Sequence, residues 1–106
     1  MYKITYSNQA QIDLEEAISY IAKESVANAL NYLQSYEEKI KLLRLNPDMG
    51  VECKNKLIKR ESRILVHKSH IIIYKINKSI KDIFLIRIYH SSVDYANKFN
   101  VIKPNE

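Results

Sequence analysis

The chain opens on alternation. Tyr2, Ile4 and Tyr6 are apolar or aromatic, with Lys3 and Thr5 between them, which predicts a short strand with one buried face. Ser7 follows as a helix N-cap, its hydroxyl placed to accept a free amide of the first turn. Ala10, Leu14, Ala17, Ile18 and Ile21 then recur at helical spacing while Asp13, Glu15, Glu16 and Lys23 point elsewhere, predicting an amphipathic helix near residues 8–23. Ser25 is the next cap. Val26, Ala29, Leu30, Leu33, Tyr36, Ile40 and Leu43 repeat at intervals of three and four, so a second helix runs to about Leu45. Asn46-Pro47 ends it, because proline disfavours the helical conformation of the residue before it. A link of one or two residues between the helices implies a helical hairpin with its apolar faces turned to a common core.

Beyond Pro47 the period changes. Pro47-Asp48-Met49-Gly50 reads as a turn, with Gly50 free to take positive φ. Residues 51–56 are polar and read as loop. Leu57–Lys59 is a possible strand start and Arg63–His67 a stronger strand, while Ile71–Asn77 and Ile83–Tyr89 are rich in β-branched and aromatic residues. Lys78–Asp82 joins the last two as a hairpin. After Asp94 a short helical turn is expected, with fraying at Lys103–Glu106. The order is β-α-α-β-β-β in one domain, residues 1–106. Segregated helices and strands predict an α+β fold, an antiparallel sheet packed against an N-terminal helical hairpin.

Charge adds a second division. Residues 1–53 hold five Lys/Arg against eight Asp/Glu, net −3, whereas residues 54–106 hold twelve against four, net +8. Lys54, Lys56, Lys59, Arg60, Arg63 and Lys68 concentrate six cations around a single acid, Glu61. Such a surface suits nucleic acid, through salt-dependent phosphate contacts, or an acidic protein; the alternative is a solvated face. The basic residues lie among strands, not on an amphipathic helix, so a membrane surface fits poorly. The N-terminus carries no apolar leader, and Ile71–Tyr74 and Ile83–Ile86 are too short to cross a bilayer. With a single cysteine, Cys53, a cytoplasmic location is expected.

The familiar catalytic signatures are missing. One glycine permits neither a phosphate loop nor a dinucleotide fingerprint, and one cysteine with three scattered histidines excludes a structural zinc site, so no metal or cofactor is expected. Any chemistry must come from Arg, Lys, His and Tyr on a sheet. His67 and His70 flank a tight Lys68-Ser69 turn and read as solvated or structural turn residues. His90 ends the last strand, where it can face a cleft as an acid or base, or else bond the Ser91-Ser92 turn or Asp94. Arg87 interrupts an apolar strand and is expected on the side opposite the core. With Arg63 it can hold phosphate bidentately, or lie on a solvated face bridged by Glu61 or Asp82. Tyr32 and Tyr36 stack at i, i+4 and read as core edge in preference to a base-stacking platform.

These residues carry a resemblance. Tyr2–Ser7 with Ala10, Asp13-Leu14 and Tyr20-Ile21-Ala22 resembles the opening of the RelE/ParE toxin superfamily. Leu45–Gly50 is similar to that family's helix end, Arg63–Tyr74 to its central strand pair, and Ile86–His90 with Asp94 to its closing motif. The match runs over nearly all of residues 2–95. It implies the toxin of a type II toxin–antitoxin system, neutralised by an acidic antitoxin. The ParE-like branch inhibits DNA gyrase by binding; the RelE-like branch cuts mRNA on the ribosome. The long hairpin and the Arg-Ile-Tyr-His ending look more like ParE. Many relatives place an arginine close to the histidine, where this chain has Ser91-Ser92-Val93-Asp94. Lys59, Arg60, Arg63, Lys68 and Arg87 are the residues expected to bind the target or nucleic acid; on the RelE-like reading His90, Arg87 and Arg63 would carry catalysis.

Overall fold

The computed structural model describes residues 1–52 and 62–92. Strand β1 (Lys3–Tyr6) leads into helix α1 (Asn8–Glu24), helix α2 (Val26–Leu45) and a 3-10 turn (Pro47–Met49). Four more strands follow: β2 (Val51–Glu52), β3 (Arg63–His67), β4 (His70–Asn77) and β5 (Asp82–His90). Both expected caps are made. Ser7 Oγ accepts from Ala10 N at 2.9 Å and donates to Ile86 O at 2.7 Å, so one hydroxyl caps α1 and pins it to β5. Ser25 closes α1 and caps α2, its Oγ accepting from Asn28 N at 3.1 Å, which leaves a one-residue link between the helices.

The α+β class and element order are as read from the sequence, but the sheet is mixed, not antiparallel throughout. Its order is β1-β5-β4-β3-β2, and β1 pairs with β5 in parallel, Lys3 opposite Asp82 through Tyr6 opposite Leu85. The long helical crossover after β1 permits this arrangement. Strand β2 was expected as loop; it pairs antiparallel with Arg63 and Ile64 at the sheet edge. The predicted strand start at Leu57–Lys59 lies outside the described residues.

The hairpin covers one face. Ala10, Tyr32, Tyr36 and Leu43 from the helices pack with Leu65, Ile72, Tyr74, Ile83, Leu85 and Ile88 from the sheet. Alternation along β5 breaks once. Tyr74 pairs with Leu85 but Ile73 pairs with Arg87, so Ile86 is an extra, bulged residue. Ile83 and Leu85 face the core before the bulge, and Ile88 faces it after. Without the bulge, Arg87 would take Leu85's face and enter the core.

Gly50 is needed for a reason other than positive φ. Its φ is −76°, an ordinary value, but an added Cβ would lie 2.6 Å from the Tyr74 hydroxyl and 2.8 Å from Ile64 O. The tight approach lets Tyr74 Oη accept from Gly50 N at 3.0 Å and donate to Pro47 O at 2.7 Å. Positive φ is found instead at Lys68 and Lys81, both at 52°, in the two strand-connecting turns.

Candidate functional site: a histidine row and three committed arginines

The register of β3, β4 and β5 assembles all three histidines. His67 is the cross-strand partner of His70, and His70 that of His90, so the three form one row across the sheet end on the face that carries Leu65, Ile72 and Ile88 one step inward. The His70 and His90 rings meet edge to face with centroids 5.4 Å apart. Tyr32 lies over the row, 5.3 Å from both His67 and His70. Its hydroxyl bonds His70 Nδ1 at 2.8 Å. Ser35 Oγ meets His67 Nε2 at 3.2 Å, and the Tyr36 hydroxyl meets that of Tyr6 at 2.6 Å.

Burial sets the electrostatics of this row. His67, expected as a turn residue, is 4% exposed. Desolvation lowers its pKa, helped by Lys39, Lys68 and His70; desolvation and then His90 lower that of His70. Both rings therefore favour the neutral form. Burial pushes the Tyr32 hydroxyl up to about 12 and raises those of Tyr36 and Tyr6, so all three stay protonated. His90 is exposed, and its Nδ1 accepts from Ser92 N at 3.1 Å and meets Ser92 Oγ at 2.8 Å, the turn contact foreseen for it. Asp94, its other expected partner, lies outside the described residues.

The arginines sit elsewhere. Arg87 is on the back face, as expected, opposite Ile73, but its partner is not Asp82, and Glu61 lies outside the described residues. Its Nε and Nη2 donate to the Asp13 carboxylate at 2.8 and 3.1 Å, and Asp13 Oδ2 also accepts Ile88 N at 2.9 Å. The Asp13 hydrogen bond, then its charge, raises the Arg87 pKa against the effect of burial. The guanidinium also stacks 4.5 Å from the Tyr89 ring centroid. Asp82 instead accepts from Thr5 Oγ1 at 2.7 Å. Arg63, opposite Tyr74, shares the core face and buckles the Pro47–Gly50 turn: Nε and Nη2 donate to Gly50 O at 3.1 and 2.8 Å, and Nη2 also to Asp48 O. Arg44 Nε donates to Tyr2 O at 2.8 Å.

Arg63, Arg87 and His90 are thus not brought together. Arg63 and Arg87 occupy opposite faces, and His90 stands at the far end of the sheet from Arg63. Lys68 is exposed in the β3–β4 turn beside the histidine row, while Lys59 and Arg60 lie outside the described residues. The sequence reading left out Asp13 and Ser35 as partners and placed Tyr32 only at the core edge. Asp13 gave one signal, an acid-Leu pair early in an amphipathic helix, but its contact with β5 depends on the parallel pairing of β1. Among the described residues no group of three or more His, Cys, Asp or Glu side chains is placed to hold a metal ion. No described helix is long and apolar enough to cross a membrane.

The family model for the ParE toxin of type II toxin–antitoxin systems, parDE, matches residues 4–95. The chain belongs to the ParE toxin family. The α-hairpin, the closing Arg-Ile-Tyr-His strand and all of the parallel β1–β5 pair except Lys3 lie within the matched span. Solved structures show the same fold. A chain of the chromosomal ParDE toxin–antitoxin system from P. aeruginosa superposes with a TM-score of 0.66 at 19% identity, over 85% of this chain and 96% of that one. The RelBE2 toxin–antitoxin complex from Mycobacterium tuberculosis contains a chain at 0.56 and 17% identity, covering 84% and 96%. The isolated E. coli RelE toxin gives 0.60 at 8% identity, covering 98% and 99%. No curated protein matches by sequence. This is a toxin of the RelE/ParE superfamily, on the ParE side of it.

Proposed function

We propose that this toxin arrests growth by binding DNA gyrase, without bond chemistry of its own, and that an acidic antitoxin neutralises it. The supporting observation is the commitment of the three arginines within the described residues. Phosphoryl chemistry without a metal needs cations aimed at the charge that develops in the transition state. Arg44, Arg63 and Arg87 are instead bonded to Tyr2 O, Gly50 O and Asp13, and the last two stand on opposite faces. The membership in the ParE family favours the same reading. For the antitoxin, the basic C-terminal half supplies charge complementarity. Val26, Leu30, Leu42 and Leu45 of α2, each at least half exposed, supply apolar contact area. Gyrase and such an antitoxin would both be met in the cytoplasm.

The test is a supercoiling assay with purified toxin. Supercoiling should be blocked, or cleaved DNA should accumulate, as toxin is added, and antitoxin should restore activity. Undiminished supercoiling at molar excess of toxin refutes the proposal. One observation favours a second reading, a RelE-like ribosome-dependent mRNA endonuclease: exposed His90 stands against His70, so two imidazoles are available as base and acid. That reading requires A-site cleavage of mRNA that is lost in His90→Ala; normal cutting by the variant removes it.

A further inference from the structure

The histidine row lies where basic groups accumulate without counter-charge. The charged groups acting on His67 are Lys39 of α2, Lys68 of the turn and His70; the one acting on His70 is His90. All are basic. The other groups against the row from α2 are the hydroxyls of Tyr32 and Ser35 and the ring of Tyr36, and from the turn after β5 the hydroxyl of Ser92. Among the described residues no carboxylate forms an ion pair with any of these histidines or lysines; the pairs formed are Arg63–Asp48 and Arg87–Asp13.

Tautomers decide what such a cluster can take. A backbone N–H can only donate, so the contact from Ser92 N makes His90 Nδ1 an acceptor. The ring proton of neutral His90 is therefore on Nε2. Tyr32 keeps its proton, and when it donates that proton to His70 Nδ1 the His70 ring proton stands on Nε2. Both rings then offer N–H groups, not lone pairs. A metal ion needs lone pairs; an oxyanion needs donors.

We infer that the His70–His90 end of the sheet, with Lys68 beside it, is a proton-linked binding site for a tetrahedral oxyanion of the phosphate type. The bound anion accepts from the imidazole Nε2–H groups and from the Lys68 ammonium, and its charge favours protonation of His70, whose Nδ1–H can then donate to the Tyr32 hydroxyl oxygen. Protonation and binding reinforce one another, since by linkage each shifts the other by the same factor. The ligand is either a free oxyanion or a phosphodiester of nucleic acid; the donor set is the same for both. The inference does not depend on whether gyrase is the target.

Sulfate is the probe, because its charge is constant across the titration range of histidine. The untagged full-length chain is titrated with sulfate at matched ionic strength while the His70 and His90 ring signals are followed by NMR. Saturable shifts confined to this end of the sheet are expected, with affinity at least roughly fivefold tighter near pH 5.5 than near pH 7.5. The pKa of His70 should be higher in sulfate than in chloride. His90→Gln changes an exposed side chain and should weaken binding about tenfold or more, whereas Lys78→Gln, in the remote β4–β5 turn, should leave it unchanged. Equal pKa values in sulfate and chloride overturn the inference, as does undiminished sulfate binding by His90→Gln. A short single-stranded oligonucleotide in place of sulfate separates the sources. Binding with the same His90 dependence assigns a phosphodiester, and its failure beside successful sulfate binding assigns a free oxyanion.

Discussion

Asp13→Ala tests whether the α1–β5 contact is a structural buckle. The Asp13 carboxylate is 7% exposed and the Arg87 side chain 17%, with Nε···Oδ2 at 2.8 Å. Truncation removes both acceptor contacts of the guanidinium and the acceptor for Ile88 N. Breaking a buried pair by deleting one partner costs about 3–5 kcal/mol, because the remaining charge stays uncompensated. An orphaned buried amide adds about 1–3 kcal/mol. Arg87 retains some access to water and its stacking on Tyr89, so the lower end of each range applies, and the expected loss is about 4 kcal/mol. Asp13→Asn keeps an acceptor for Ile88 N and should cost less. In urea denaturation the order of stability should be wild type, Asn, Ala. Combined with Arg87→Met, which removes the stranded charge, Asp13→Ala should show a coupling of about 1 kcal/mol or more. A loss below about 1 kcal/mol for Asp13→Ala, or coupling near zero, would refute the buckle and leave the pair a passive surface contact.

Gly50→Ala forces a Cβ against the Tyr74 hydroxyl and Ile64 O and should cost about 1–3 kcal/mol by thermal or urea unfolding. Lys81→Gly relieves a left-handed conformation at φ 52°, and a gain of about 0.5–1 kcal/mol is expected from the same measurement. His67 and His70 have lowered pKa values in the folded chain, so the unfolded chain binds more protons as acidity rises. Stability should hold above pH ~6.5, the unfolded value, fall as pH drops through the window down to the folded values, and level off below it. His67→Gln should shallow that slope, and an unchanged slope would show that His67 is not one of the groups responsible.

The helices were legible because their information is local. Ser7, Ser25 and Pro47 mark the ends, and apolar spacing marks the faces, so both helices fell within a residue of their predicted bounds. Strand β3 was equally plain. What stayed hidden depends on register and pairing. Two-residue β2 has too short a pattern to announce itself. The parallel β1–β5 pair is fixed by where the crossover returns, which no residue of β1 encodes alone. The bulge at Ile86 hid the histidine row. A two-residue turn already sets His67 opposite His70, but regular pairing counted from Asn77–Asp82 would place Tyr89 opposite His70. The inserted residue brings His90 there instead. The same insertion turns Arg87 away from the core, so one irregularity sets both features of the site.

Arginine and lysine have separate tasks in this fold. The chain has four arginines, and the three within the described residues tie one segment to another: Arg44 joins α2 to Tyr2, just before β1, Arg63 joins β3 to the Pro47–Gly50 turn, and Arg87 joins β5 to α1. A planar guanidinium with several directed donors suits bridging fixed carbonyls and a carboxylate, whereas an ammonium on a flexible stem suits a hydrated surface. Lys3, Lys68, Lys75, Lys78 and Lys81 are all exposed. The positive field a partner meets on the described surface is therefore carried mainly by lysines. That field attracts and steers an acidic partner but fixes no bidentate geometry. It is well suited to binding a protein or screening a phosphate backbone, and poorly suited to gripping a pentacoordinate phosphate. Directed donors on this surface come instead from the exposed end of the histidine row, where His70 and His90 meet edge to face.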